Sequence, residues 1–261
     1  MVDAQRHEFL KVRRLIPDEQ DMVTIGPGTT VRSALELMRQ HEFDQLPVLA
    51  GAEVVGVFTY RSLAKGLGHV RPQDDPLNAH VDDLTEDLEF VRSSDDVANV
   101  LRFIDRDGAV LVGDETHLLA VATSEDVTRF LWAQTHPFVL LQDIEFAMRD
   151  LGRRACPDEE VLIECVRAAF PPQGTPRSCV LEDLTLGELL QVVKNGPNYG
   201  HHFNKTFGKN SNYVSSTLDP VLEIRNKVFH FRGEVSVEEL EALAAAHKWL
   251  LKRIAIARAG Q

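Results

Sequence analysis

Gly56-Val57-Phe58-Thr59-Tyr60-Arg61-Ser62 and, 64 positions on, Ala120-Val121-Ala122-Thr123-Ser124-Glu125-Asp126 are two versions of one local pattern. Each sets a small residue and two apolar residues before a threonine, then turns polar. That order reads as a strand ending in the N-cap of a helix. Working outward, an amphipathic helix at 30–38 precedes strands at 45–49 and 54–59 in the first copy. The second copy repeats the order, with a helix at 95–104, strands at 109–112 and 118–123, and a closing helix from near Ser124. Val31, Leu35 and Met38 correspond to Val97, Leu101 and Ile104 at an offset of 66, whereas Val48, Gly56 and Thr59 correspond to Val112, Ala120 and Thr123 at 64. A two-residue deletion between helix and strand accounts for the change. Residues 20–132 therefore read as a duplicated α/β module.

The two quoted segments resemble the CBS family, whose units end in Gly, two apolar residues, Ser or Thr, two variable residues and Asp. The second copy keeps both the hydroxyl, Thr123, and the carboxylate, Asp126. A hydroxyl at a strand end and a carboxylate on the next helical turn suit the two hydroxyls of a ribose, and phosphates can rest on N–H groups at the helix N-terminus. The same two residues also suit a local role as cap and capping-box acid. In the first copy Ser62 stands where the family has Asp, so the ribose carboxylate is missing there. The resemblance implies an adenine nucleotide (AMP, ADP or ATP) as regulatory ligand, with Thr123, Asp126, Thr59 and Arg61 as nucleotide-binding residues and Arg61 meeting a phosphate.

At 261 residues the chain exceeds the usual single domain, and its 44% apolar and 26% charged residues fit a folded protein rather than a disordered one. No apolar run approaches the length needed to span a bilayer, and the N-terminal 14 residues are charged, so a cytoplasmic location with no membrane partner is expected. Cys156, Cys165 and Cys179 show no C-x-x-C spacing and read as reduced thiols, with no metal site expected. The net charge of −12 lies almost wholly in residues 1–136, which carry 13 Lys+Arg against 24 Asp+Glu. Residues 194–232 instead hold six basic side chains against two acidic ones and can face a polyanion.

Thr135-His136-Pro137 marks a hand-over, because proline fixes φ and favours extended backbone before it. Beyond it the strand signals stop. Helices are expected at 138–154, 158–170 and 184–194, and a polar stretch at 195–211 reads as loop or frayed helix. Ser216 or Thr217 can cap a helix to about Arg232, Gly233 fits its stop, and Ser236 with Glu239 makes a capping box for a last helix to about Arg258. In the penultimate helix Val221, Ile224, Val228 and Phe231 form the expected apolar stripe, and Asp219, Glu223, Asn226 and His230 a polar one.

Arg225-Asn226-Lys227-Val228-Phe229-His230 resembles the HEPN superfamily, all-helical domains with an Arg-x4-His motif in which a polar residue follows the Arg. Residues 184–190 and 203–208 extend the likeness to the abortive-infection-like branch. By that resemblance His230 is a general base on a ribose 2′-OH, Arg225 stabilises charge on the phosphate, Asn226 orients, and cleavage needs no metal. The expected protein is an α/β N-terminal tandem CBS pair (1–136, units about 20–68 and 80–132) followed by an all-α HEPN-like helical bundle (137–261). It is expected to be a homodimer whose CBS pair senses an adenine nucleotide and regulates an endoribonuclease acting on an RNA substrate. A setting in stress or phage defence follows from the HEPN resemblance alone. The alternative is a non-catalytic, nucleotide-responsive adaptor in which the helical domain is a dimerisation or partner-binding platform. His201 and His202 read as loop residues that touch RNA.

Overall fold

The computed structural model describes residues 10–17, 20, 22–69, 71, 75–170 and 178–259. The chain divides into two compact units, Met1–Trp132 and Ala133–Gln261.

In the first unit, helix α1 (Val31–His41) starts where the Thr30 side chain accepts from the Ser33 N–H, and it buries Val31, Ala34 and Met38. Strands β1 (Gln45–Ala50) and β2 (Glu53–Thr59) form an antiparallel hairpin, followed by α2 (Tyr60–Gly66). The second copy runs through β3 (Phe90–Val91), α3 (Val97–Asp107), β4 (Ala109–Asp114) and β5 (His117–Thr123) into α4 (Ser124–Ala155). Both hairpins slip register at the same place. Val48 faces Gly56 before Leu49 moves to Val54, and Val112 faces Ala120 before Gly113 moves to Leu118. Such a bulge strengthens local twist, and its recurrence at the offset of 64 shows that the duplication is structural.

The copies also share a feature the helix-strand-strand pattern did not contain. Ile25 bridges Val48 in parallel, as Val91 pairs with Val112 in parallel through β3. Each copy thus opens on a short parallel pairing before its helix, a single bridge in the first and a two-residue strand in the second. The one to three apolar residues involved carry too little periodicity to be read alone. The helical stripes also differ from expectation: Val100 is buried and Leu101 is exposed, because α3 begins at Val97 and turns Val97, Val100 and Ile104 inward. Val12 and Leu15, ahead of the first copy, belong to the core of the second, where Val12 N–H bonds Asp95 O. Val57, Leu88, Ala109 and Leu111 form a separate buried cluster joining the two hairpins.

The second unit is helical. After the remainder of α4 come α5 (Glu159–Ala169), α6 (Leu186–Lys194), α7 (Ser211–Phe229) and α8 (Val237–Ala259). Ile144, Met148 and Leu151 of α4, Leu218 of α7 and Leu243 and Leu250 of α8 are completely or almost completely buried in one core. The expected Ser236–Glu239 box caps α8, and a second box, Thr185 with Glu188, caps α6.

Two expectations are corrected here. Pro137 does not interrupt the chain, since α4 continues through it. A proline forfeits one helical hydrogen bond, and burial of Leu140, Leu141 and Ile144 on the next turns outweighs that loss. Ser216 and Thr217 do not cap α7. The helix starts six or seven residues earlier, where Asn210 accepts from the Tyr213 N–H, and both hydroxyls instead donate back to Tyr213 O at 3.0 and 2.8 Å. Of the two readings of the polar stretch the helical one holds: Gly196–Asn198 and Asn204–Phe207 flank a π-turn at Tyr199–Phe203. Tyr199, Phe203 and Phe207, four residues apart, bury their rings and hold it down. Among the described residues no helix is long and apolar enough to cross a membrane.

Candidate functional site

The first unit contains a cleft of about 840 Å³, within the range that holds small molecules. Thr123, Asp126, Thr59 and Arg61 all line it, so the four residues singled out from the repeat converge on one space. Met22, Val23, Phe43, Pro47 and Val121 supply an apolar wall, and the His41 and Phe43 rings stack with centroids 5.5 Å apart. Gln20 reaches the same wall and grips the backbone of Val121, donating to its carbonyl at 3.2 Å and accepting from its N–H at 3.1 Å.

Thr123 and Asp126 bond reciprocally. The Thr123 hydroxyl donates to Asp126 Oδ2 at 2.7 Å and accepts from the Asp126 N–H at 3.3 Å, while the Thr123 N–H donates to the same carboxylate at 2.8 Å. The local capping role is therefore occupied. It uses one carboxylate oxygen, Oδ2; the other, Oδ1, lies 3.9 Å from the Arg129 guanidinium.

The first copy divides those duties between two residues. Ser62 takes the cap, its hydroxyl accepting from the Thr59 N–H at 2.9 Å and its N–H donating to the Thr59 hydroxyl at 2.8 Å. The carboxylate comes from elsewhere: Glu86 accepts from the Thr59 hydroxyl at 2.5 Å. Ser62 leaves the motif position without a carboxylate, but the segment between the copies, pinned by the Val57–Glu86 bridge, brings one to Thr59. Sequence reasoning missed Glu86 since no spacing rule links it to the motif.

Arg61 is not free to wait for a phosphate. Its Nε donates to both Glu86 oxygens at 3.0 Å, its Nη1 to Arg106 O at 3.0 Å, and its Nη2 lies 3.5 Å from Asp107. Burial works to raise the Glu86 pKa, but the hydrogen bonds from Arg61 and Thr59 outweigh it and hold the carboxyl below its ordinary value. Asp107 is lowered chiefly by the hydrogen bond from Arg106, against the opposing effect of burial. Two threonine–carboxylate pairs facing one cleft form a polar frame for a ligand with neighbouring hydroxyls.

The family profile of the CBS domain matches residues 12–69. The N-terminal region carries a CBS domain. The uncharacterized protein MJ1225 of Methanocaldococcus jannaschii is 26% identical over 140 residues, 47% of this chain and 50% of that protein. The chain thus spans about half the length of the curated relative it matches. Among solved structures, the CBS domain of a bacterial CNNM/CorC family Mg2+ transporter in complex with ATP is 26% identical over 49% of this chain and 91% of that one, with a TM-score of 0.39. CBSX2 in complex with AMP is 21% identical over 46% of this chain and 94% of that one, also with a TM-score of 0.39.

Outside the CBS domain, the helical unit places Arg225, Asn226 and His230 at the end of α7. Arg225 Nη1 donates to Asn226 Oδ1 at 3.1 Å, and its guanidinium sits 4.9 Å from the Phe229 ring centroid. The helix ends at Phe229, so His230 is its exposed C-cap, its N–H bonding Asn226 O at 3.2 Å. Phe231, expected in the apolar stripe, is 87% exposed at φ 52° because the helix has already stopped. Part of the local basic surplus is spent in ion pairs, Lys194 with Asp219 and Lys227 with Glu239, each at 2.7 Å. His201 Nδ1 lies 2.8 Å from Pro197 O, on the helical turns described above and not in a loop.

Proposed function

We propose that residues 1–136 form a tandem CBS pair that senses an adenine nucleotide. The observation that carries this reading is the convergence of Thr59–Glu86 and Thr123–Asp126 on one cleft beside an apolar wall. In it the paired threonines and carboxylates receive ribose hydroxyls, the apolar wall receives the base, and Arg61 and Arg129 lie nearest the phosphate end. Calorimetric titration with AMP, ADP and ATP tests it. Binding to the wild type and its loss in Asp126→Ala are expected; no heat with any adenine nucleotide sinks the sensor reading.

For residues 137–261 the reading is a HEPN-type, metal-independent endoribonuclease whose activity answers to the nucleotide. His230 acts as base, Arg225 stabilises the phosphate and Asn226 orients, and a homodimer brings two such helix ends to one RNA. Its support is the order of the three residues on one helix and the exposure of His230. Regulation then requires the nucleotide to favour one arrangement of the dimer, and cannot exceed that difference in affinity. The adaptor reading is favoured by a different observation: Arg225 is held by Asn226 and Phe229, and the Phe229 and Phe231 side chains are 48% and 87% exposed, an apolar surface suited to a partner. RNA incubated with wild type, Arg225→Ala and His230→Ala, with and without nucleotide, separates the two. Chelator-resistant cleavage leaving 2′,3′-cyclic phosphate ends in the wild type alone supports the nuclease. Equal cleavage by the variants, or none by any, leaves the adaptor.

A further inference from the structure

The walls of the cleft are unusually acidic for a site that would hold a phosphorylated ligand. Among the described residues, Glu42, Asp44, Glu86, Asp107, Glu125 and Asp126 line it against only two guanidinium groups, Arg61 and Arg129. Both cations are already engaged. Glu86 and Asp107 hold Arg61, while Glu125 meets Arg129 at 2.8 Å with Asp126 at 3.9 Å. The helix whose N-terminus opens on the cleft, α4, carries Glu125 and Asp126 in its first turn, which offsets the positive end of its dipole. A phosphate entering this space meets carboxylates that already share both arginines, and each further phosphate enlarges the repulsion.

We propose that the cleft discriminates by charge, accepting an adenine nucleoside with at most one phosphate and rejecting the metal-free triphosphate. The proposal rests on the nucleotide reading above and adds the class of ligand. Glu86, Asp107, Glu125 and Asp126 are its specificity determinants. A divalent cation bound to the triphosphate cancels most of that charge and relaxes the rejection.

Titration calorimetry of the full chain with adenosine, AMP and ATP tests this, in chelator and then in excess Mg2+, at low and high NaCl. In chelator at low salt, ATP is expected to bind at least about fivefold more weakly than AMP, and high salt or Mg2+ narrows the gap as the charges are screened or cancelled. A smaller difference, or tighter binding of ATP, overturns the charge preference while leaving the sensor reading intact. A gap that salt leaves unchanged overturns it too, since the discrimination is then steric. No binding of any of the three sinks the sensor reading itself, and the preference falls with it. Asp107→Asn together with Glu125→Gln is expected to raise the ATP-to-AMP affinity ratio by about tenfold. An unchanged ratio in a variant that melts as the wild type does overturns the assignment.

Discussion

Glu86 reaches back 27 residues to accept a 2.5 Å hydrogen bond from Thr59, reproducing at a distance what Asp126 does for Thr123 within one helical turn. Both copies of the pattern thus hold a threonine–carboxylate contact, through partners at different sequence separations. Ser62 retained the capping half of the role alone.

Glu86→Gln is expected to destabilise the first unit by about 2 kcal/mol at neutral pH, the usual range for a charge-assisted contact. Its pH dependence follows from the lowered pKa. A carboxyl depressed in the folded state contributes fully above its ordinary value of 4.5, and the contribution drains away as pH falls through the folded value. Melting curves at pH 7 and pH 3 check this: the difference between wild type and variant shrinks at the lower pH.

Asp126→Ala removes the reciprocal box at the start of α4 and is expected to cost about 1 kcal/mol. Asp126→Asn keeps an acceptor for the Thr123 N–H and recovers most of it. Denaturant unfolding of the three proteins measures both changes, and a loss in the Asn variant equal to that of Ala refutes the capping account.

Gly113 lies at φ 127°, and a Cβ there meets His117 O at 2.1 Å, which is backbone and has nowhere to go. Gly113→Ala is expected to destabilise by about 2 kcal/mol or more, read as a fall in the denaturation midpoint. Gly51, also at positive φ but with open space around it, is the control and pays only the backbone strain.

Cys156 is buried, and that burial, with Cys165 beside it, pushes its thiol pKa up to about 12. Almost no thiolate exists near neutral pH, so alkylation of Cys156 in the native protein is expected to be slow and to accelerate on unfolding. Peptide mapping after a timed iodoacetamide pulse at pH 7.5 gives the answer; rapid native labelling contradicts it.

Some of these features were legible in one dimension and some were not. The hairpins, α1, α3 and the strand-to-helix switch at Thr59 and Thr123 were legible because each is set by neighbours within a few residues: alternation, capping and a common offset. The rings of Tyr199, Phe203 and Phe207 carried a helical period too, but the polar residues between them concealed it. The leading parallel pairings at Ile25 and Val91 stayed hidden because one to three apolar residues owe their conformation to the strand they pair with.

The sequence by itself determined that a repeat exists and that Thr59, Arg61, Thr123 and Asp126 hold equivalent or neighbouring positions in it. Only the tertiary structure decided that Glu86 is the carboxylate Thr59 meets, that Arg61 is already engaged by Glu86 and Asp107, and that Pro137 and Pro220 lie inside unbroken helices. The physical reason is range. Caps and periodicity act along the chain over one or two turns. A charge finds its partner by distance in space, and a proline is tolerated when burial on the turns around it exceeds the one hydrogen bond it forfeits.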